Sequence, residues 1–160
     1  MSTLYNSAVK YERNVLASIL LNPDHAYDEA AQLRVSDFSL DSHRRICARM
    51  KGLAGSSRPI NITTLTDELE RHKELEEVGG CGFIASLIDG LPDRPSIKDD
   101  VTMVREAAGK RHIAREAHLL EQHAMNGAST GDLAARFSAL SEQIISDYAP
   151  AQIACYTRPR

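Results

Sequence analysis

Residues 96–147 decide the fold class of this 160-residue chain; their sequence is SIKDDVTMVREAAGKRHIAREAHLLEQHAMNGASTGDLAARFSALSEQIISD. Residues 96–125 contain no proline and one glycine. Apolar side chains recur there at the spacing of one helical face, which predicts a long amphipathic helix. The face slips at Gly109, where a helical glycine indicates close packing or a bend. Its apolar positions are Ile97, Val101, Val104 and Ala108, and then Ile113, Ala117, Leu120 and Ala124.

A second amphipathic helix follows after a short turn. Asn126-Gly127 is the predicted turn, and Ser129 is a candidate N-cap with Asp132 three positions later. Two such helices joined by a short turn predict an αα-hairpin over about residues 96–147. The apolar stripe of the second helix is Leu133, Phe137, Leu140 and Ile144.

The hairpin stripes are the candidate interaction residues of the chain. Two interpretations stay open: the stripes close the domain's own core, or they leave apolar surface for association with another subunit. The second interpretation directs Leu119, Phe137 and Ile145 outward. The residues predicted to form the hairpin core or a subunit interface are Val101, Val104, Leu120, Leu133, Phe137, Leu140 and Ile144.

The sequence before the hairpin predicts a compact head of five short helices over about residues 8–92. Pro23 suits the first position of the second helix, and Asn61 is a candidate cap for the fourth. Gly79-Gly80 is expected to stop any helical continuation before a fifth helix closed by Gly90. No alternating pattern is long enough to indicate a strand. We therefore predict an all-α domain over residues 1–148, with a compact multi-helix head, a long C-terminal helical hairpin and an irregular tail at 149–160.

Composition and charge limit the function classes. The formal net charge is −3, whereas a protein that grips nucleic acid by its phosphates normally has a basic excess, so we expect little direct nucleic-acid binding. The three cysteines form no CxxC pair, which indicates reduced thiols. No leader peptide or membrane-spanning stretch is indicated, and we expect a cytoplasmic protein without membrane contact.

The sequence offers no catalytic, cofactor-binding or metal-ligating constellation. Gly109-Lys110 lacks the earlier glycine and the following Ser or Thr of a phosphate-binding loop, and it lies inside a predicted helix. The six histidines show no HxxxH or HxxH spacing. The carboxylates between Asp67 and Glu77 lie beside Arg71 and Lys73, as on a solvated, self-paired surface. We therefore predict no catalytic residue, no cofactor and no metal.

An ordered set of short motifs resembles the N-terminal domain of the DnaB-type replicative DNA helicase family. The resemblance begins with Val-Leu-Ala-Ser-Ile-Leu-Leu-Asn-Pro at 15–23 and extends over about residues 8–147. It implies a helical head followed by a hairpin that pairs between subunits, as a dimer or a trimer of dimers, and that receives the primase C-terminal domain. Its later motifs are Gln-Leu-Arg-Val-Ser-Asp-Phe (32–38), Ser-His-Arg-Arg-Ile (42–46), Pro-Ile-Asn-Ile-Thr-Thr-Leu-Thr-Asp-Glu-Leu-Glu (59–70) and Leu-Glu-Glu-Val-Gly-Gly (75–80).

The chain also departs from that family pattern. The motor domain with its phosphate-binding loop is missing from these residues, and the sequence after Tyr148 differs from the family's linker. The resemblance therefore implies a non-catalytic module for oligomerisation and primase docking in DNA replication and primosome assembly. Two alternatives stay open: a truncated piece of an ATP-dependent DNA helicase, and a stand-alone regulator that binds a full-length helicase.

Overall fold

The computed structural model describes residues 2–89 and 97–148. These residues form α-helices and one short 3-10 helix at Val35–Asp37, with no strand among them, and the predicted all-α fold class is confirmed. The tail at 149–160, and Gly90 as the end of the fifth helix, lie outside the described residues. The helices are α1 (Ser2–Leu21), α2 (Pro23–Ala30), α3 (Asp41–Gly55), α4 (Ile62–Arg71), α5 (Gly80–Ser86), α6 (Ile97–Met125) and α7 (Thr130–Tyr148).

The chain divides into two compact units, and the division falls inside α6. The first unit ends at Ala107 and the second begins at Ala108. The first turns of α6 therefore belong with α1–α5, whereas the rest of α6 and α7 make up the described part of the second unit.

The first unit encloses an aliphatic core. Because aromatic residues make up only 5% of the sequence, leucine, isoleucine and valine fill most of its volume. Phe38, after the 3-10 helix, is the aromatic side chain buried within it. Side chains from every α-helix of this unit are buried, among them Leu16, Ala26, Ile46, Leu53, Leu65, Leu69, Ile84 and Val104.

Local sequence explains where α4 and α5 begin. The Asn61 side chain accepts a hydrogen bond from the Thr64 backbone N–H (2.9 Å), and the Thr64 hydroxyl accepts from the Asn61 N–H (3.1 Å), so the predicted cap is present. Gly79 adopts φ +104°, which favours glycine, and ends the turn before α5. The fifth helix then starts at Gly80, earlier than the pattern around Phe83 suggested.

One buried polar pair lies within the first unit. The Glu12 carboxylate lies 2.9 Å from His43 Nδ1 and accepts a hydrogen bond from the Ser39 N–H at 2.7 Å. The His43 ring also stacks on Phe83, with ring centroids 6.2 Å apart. Burial by itself raises the pKa of Glu12, but the hydrogen bonds with His43 and Ser39 outweigh it and hold that pKa below its ordinary value. The pair joins α1 to α3 through an ionised carboxylate.

Candidate interaction surface

In the second unit, α6 and α7 lie side by side in opposite directions. Gly109, early in this part of α6, approaches Tyr148 at the end of α7. Near the turn, Arg136 Nη1 of α7 lies 3.4 Å from His123 Nε2 of α6. These two contacts are at opposite ends of the helix pair, so the described residues of this unit form an αα-hairpin.

Hydrogen bonds close the turn of this hairpin at both helix ends. Gly127 has φ +84°; its N–H bonds to the Ala124 carbonyl, and the Ala128 N–H bonds to the His123 carbonyl. This pair of bonds is the Schellman arrangement, for which glycine is the favoured residue. The Ser129 hydroxyl then accepts from the Asp132 N–H at 3.1 Å, as its predicted N-cap role requires. The bonds fix the connection between the two helices.

Gly109 permits a close approach that a larger residue would disturb. A Cβ atom placed on Gly109 would lie 3.1 Å from Cγ and 3.3 Å from Cβ of Tyr148. The Tyr148 ring also lies against His112, with centroids 6.2 Å apart. The glycine that interrupts the apolar stripe therefore serves helix packing, one of the two roles that its place in the sequence indicated.

Apolar side chains of the second unit remain exposed in the single chain. Phe137 is 64% exposed and Met125 is 83% exposed, while Ile113 and Leu119 are exposed to lesser degrees. None of the residues in α7 is buried. Contiguous exposed apolar patches mark association sites, so these side chains are candidate contact points for another protein.

The predicted interface residues fall into two groups. Val101 and Val104 are 1% and 0% exposed and lie in the core of the first unit, so they are not available on the surface of this chain. The other five belong to the second unit, where Phe137 is exposed. The four half-buried members of the group are Leu120, Leu133, Leu140 and Ile144.

Two exposed residues are absent from the predicted interface residues. Met125 is the last residue of α6 and lies outside the periodic stripes, whereas Ile113 belongs to the predicted apolar stripe of α6. The position of Met125 beside Asn126-Gly127, at a helix end, was the available signal, because helix ends are poorly covered by neighbouring turns.

Arginines of α3 pair with carboxylates. Arg45 pairs with Asp41 at 2.6 Å and with Glu77 at 2.6 Å, while Arg49 pairs with Glu74 at 2.8 Å. The hydrogen bond from Arg45 is the main reason that the pKa of Asp41 lies below its ordinary value. This basic cluster is therefore largely neutralised within the chain.

The described residues contain no arrangement with evident catalytic chemistry. No group of three or more His, Cys, Asp or Glu side chains is placed to hold a metal ion among residues 2–89 and 97–148. Burial raises the pKa of the Cys47 thiol to about 11, which disfavours the nucleophilic thiolate. Within the same residues, no helix is both long and apolar enough to cross a bilayer.

Comparison with known proteins gives the family of this chain. Residues 5–106 match the family described as DnaB-like helicase N terminal domain, a range that covers more than half of the 160 residues. The replicative DNA helicase DnaB of Geobacillus stearothermophilus is 27% identical over 115 residues, which is 72% of this chain and 25% of that protein. The replicative DNA helicase DnaB of Treponema pallidum is 28% identical over 122 residues, 76% of this chain and 28% of that protein. The chain thus spans about a quarter of the length of these curated relatives.

A solved structure shares the fold. The crystal structure of the N-terminal domain of DnaB helicase from Mycobacterium tuberculosis superposes with a TM-score of 0.76 at 25% sequence identity. The match covers 83% of this chain and 95% of that one.

Proposed function

Because the chain belongs to the DnaB-like helicase N-terminal domain family, we propose that it is a non-catalytic module for oligomerisation and primase docking of a replicative DNA helicase. The observation that carries the proposal is the exposure of Phe137 on α7, together with that of Ile113, Leu119 and Met125 on α6. We call this set the hairpin surface. Two copies that buried these side chains against each other would gain the hydrophobic free energy that each leaves unused when alone.

Phe137 is the strongest single candidate within the hairpin surface. Aromatic side chains contribute large contact areas and are frequent among the residues that dominate binding energy. At 64% exposure, its substitution removes little packing within the chain itself. Phe137 therefore allows association to be tested separately from folding.

The decisive experiment is molar mass by light scattering for the wild-type chain and for Phe137→Asp. We expect the wild type at a multiple of the 17.6 kDa chain mass and the variant at 17.6 kDa with unchanged helical circular dichroism. Leu21→Asp is the matched control, because Leu21 is also an exposed large apolar residue but belongs to the first unit. An unchanged mass for Phe137→Asp, or equal dissociation by Leu21→Asp, would refute the assignment of the interface.

Primase docking is tested by adding the cognate primase C-terminal domain. We expect an increase in mass with the wild-type chain that is lost with Phe137→Asp if docking needs paired hairpins. If the chain oligomerises but does not bind primase, the proposed oligomerisation stands and the proposed primase docking is wrong.

A full-length helicase is a second candidate partner through the same hairpin surface. The exposed side chains that would pair two copies of this chain would equally pair one copy with a hairpin of an intact helicase. Mixed complexes on size exclusion would support the regulator hypothesis, and complete segregation of the two proteins would contradict it.

Direct nucleic-acid binding plays little part in this proposal. The net charge is −3, and carboxylates neutralise Arg45 and Arg49. Both observations disfavour binding to nucleic-acid phosphates. Salt-sensitive binding of the wild-type chain to single-stranded or duplex DNA would overturn this part.

A further inference from the structure

A groove on the first unit, separate from the hairpin surface, combines apolar and acidic walls. Its volume is about 340 Å³. This is near the lower end of the usual range for ligand sites, about 300–1,000 Å³. The groove can therefore take a long side chain with its flanking backbone, but not a folded domain. Its main lining residues are Asp24, Tyr27, Asp28, Arg58, Pro59 and Ile60.

Two aspartates stand one turn apart on the α2 wall of this groove. Asp24 and Asp28 are both exposed, and both line it. Like charges at this spacing oppose each other on a helix. Asp24, in the first turn of α2, is favoured by the helix dipole, but Asp28 is in the last turn, where that dipole disfavours a negative charge. Asp28 therefore gains no stabilisation from the helix dipole.

The two groove aspartates have no arginine partner within the described part of the first unit. Neither Asp24 nor Asp28 has an ion-pair partner among the described residues. Arg58 also lines the groove and pairs at 2.8 Å with Glu68, a carboxylate that Arg71 contacts as well, so the lining contains two carboxylates and one guanidinium group. By contrast, the carboxylates that lie within ion-pair distance of an arginine include Asp37, Asp41, Glu68, Glu74 and Glu77.

Tyr27 supplies an aromatic side chain to the same groove lining as the two aspartates. Its ring is half-buried beside Ile60 and Pro59 in the lining of the groove. Burial, followed by electrostatic interaction with Cys47 and Asp28, raises the pKa of Tyr27, so the ring remains a neutral phenol. A neutral aromatic face next to two carboxylates attracts a cation that has an apolar stem.

We propose that this groove binds an arginine side chain from an extended segment of a partner protein. Its methylene stem lies along Tyr27 and Ile60, and its guanidinium group lies between the carboxylates of Asp24 and Asp28. Arginine suits the groove better than lysine, because its planar group donates several hydrogen bonds in a fixed fork and stacks on aromatic rings.

The test is an NMR titration of the ¹⁵N-labelled chain with a capped Ala-Ala-Arg-Ala-Ala peptide. The control peptide has citrulline in place of arginine, which keeps the shape and removes the charge. We expect saturable shifts of the Tyr27 and Asp28 amide signals with the arginine peptide, and about tenfold weaker binding of the citrulline peptide. Absence of shifts at the groove, or equal binding of the two peptides, overturns the proposal.

Charge-removing variants locate the interaction. We expect D24N/D28N to bind the arginine peptide about tenfold more weakly. The matched control E76Q/D99N removes the same number of exposed carboxylates from positions that do not line the groove, and we expect it to bind like the wild type. Undiminished binding by D24N/D28N overturns the proposal, as does equal weakening in both double variants.

Salt gives a readout that does not depend on any variant. Raising the ionic strength from about 0.01 M to about 1 M shortens the screening length from about 30 Å to about 3 Å. We expect arginine-peptide binding to weaken strongly over this range, and salt-independent binding contradicts the charge-based site. The oligomer mass of D24N/D28N should equal that of the wild type, which separates this groove from the hairpin surface.

Discussion

Both units contain amphipathic helices, but the first unit buries its apolar side chains and the second leaves several of them exposed. In the first unit, side chains such as Leu16, Leu65 and Val104 are withdrawn from solvent completely. In the second unit, α7 has no buried residue and Phe137 is largely exposed. The closed core of the first unit buries apolar side chains that stabilise the fold, whereas large apolar side chains of the second unit are exposed.

The largest expected effect is a difference in the free energy of unfolding between a core leucine variant and a hairpin leucine variant. We expect Leu65→Ala to lower the free energy of unfolding by about 2 to 5 kcal/mol, because it leaves a cavity where a fully buried side chain was. The same change at half-buried Leu133 should cost clearly less. The measurement is urea unfolding at protein concentrations low enough to keep the chain monomeric. Equal losses at the two positions would mean that the hairpin is as well covered as the core.

Acid should weaken the first unit through Glu12. Its pKa is lowered in the fold, so the ionised form favours folding; this stability is present above the ordinary glutamate pKa of about 4.3 and is lost as pH falls through the lower folded value. We expect Glu12→Gln to cost about 1 to 3 kcal/mol at neutral pH, because a charge-assisted hydrogen bond with His43 becomes a neutral one. The difference between variant and wild type should shrink on acidification.

The control for this pH series is Glu76→Gln, since the Glu76 side chain is exposed. Its unfolding free energy should stay close to that of the wild type across the series. A Glu12→Gln difference that is the same at pH 7 and at pH 3 would show that the ionised carboxylate is not what stabilises this pair.

The contact between Gly109 and Tyr148 should produce a coupling of about 1 kcal/mol. Alanine is favoured over glycine in a helix by about 1 kcal/mol, but its Cβ would crowd Tyr148 at 3.1 Å. We therefore expect Gly109→Ala to give little gain in the wild type and the full gain in a Tyr148→Ala background. The measurement is a double-mutant cycle by urea unfolding.

Gly52 provides a matched control for that cycle. It lies within α3, and a Cβ there would meet no atom within 4 Å. Gly52→Ala should therefore stabilise the chain equally with and without Tyr148. If Gly109→Ala behaves in the same way, the close approach of Tyr148 has no energetic consequence.

The sequence predicted what depends on neighbouring residues. The Asn61 and Ser129 caps follow from side chains that bond to the backbone three positions later. The helix starting at Pro23 follows from the fixed φ of proline, and the all-α class follows from helical periodicity. Each of these features is decided within a few residues, so a single sequence contains the necessary information.

Features that depend on distant residues could not be predicted in the same way. Periodicity placed Val101 on the apolar face of a helix but could not show what would cover that face. The structure places Val101 in the core of the first unit. Glu12 and His43 are 31 residues apart, and no local pattern connects them. The groove is lined by α2 and by the segment around Pro59. The sequence alone therefore does not show that Asp28 lies in a groove.

The smallest expected effect concerns a left-handed backbone conformation at a residue other than glycine. Lys73 has φ +59°, and its N–H bonds to the Glu70 carbonyl while the Glu74 N–H bonds to the Leu69 carbonyl. This is the helix end that Gly127 makes in the hairpin, but here without glycine. Because a side chain disfavours left-handed backbone, we expect Lys73→Gly to be more stable than Lys73→Ala by about 0.5 to 1 kcal/mol. Both variants lose the lysine side chain, so their difference in thermal unfolding isolates the backbone. Equal stability of the two variants would show that the turn relaxes when Lys73 is replaced.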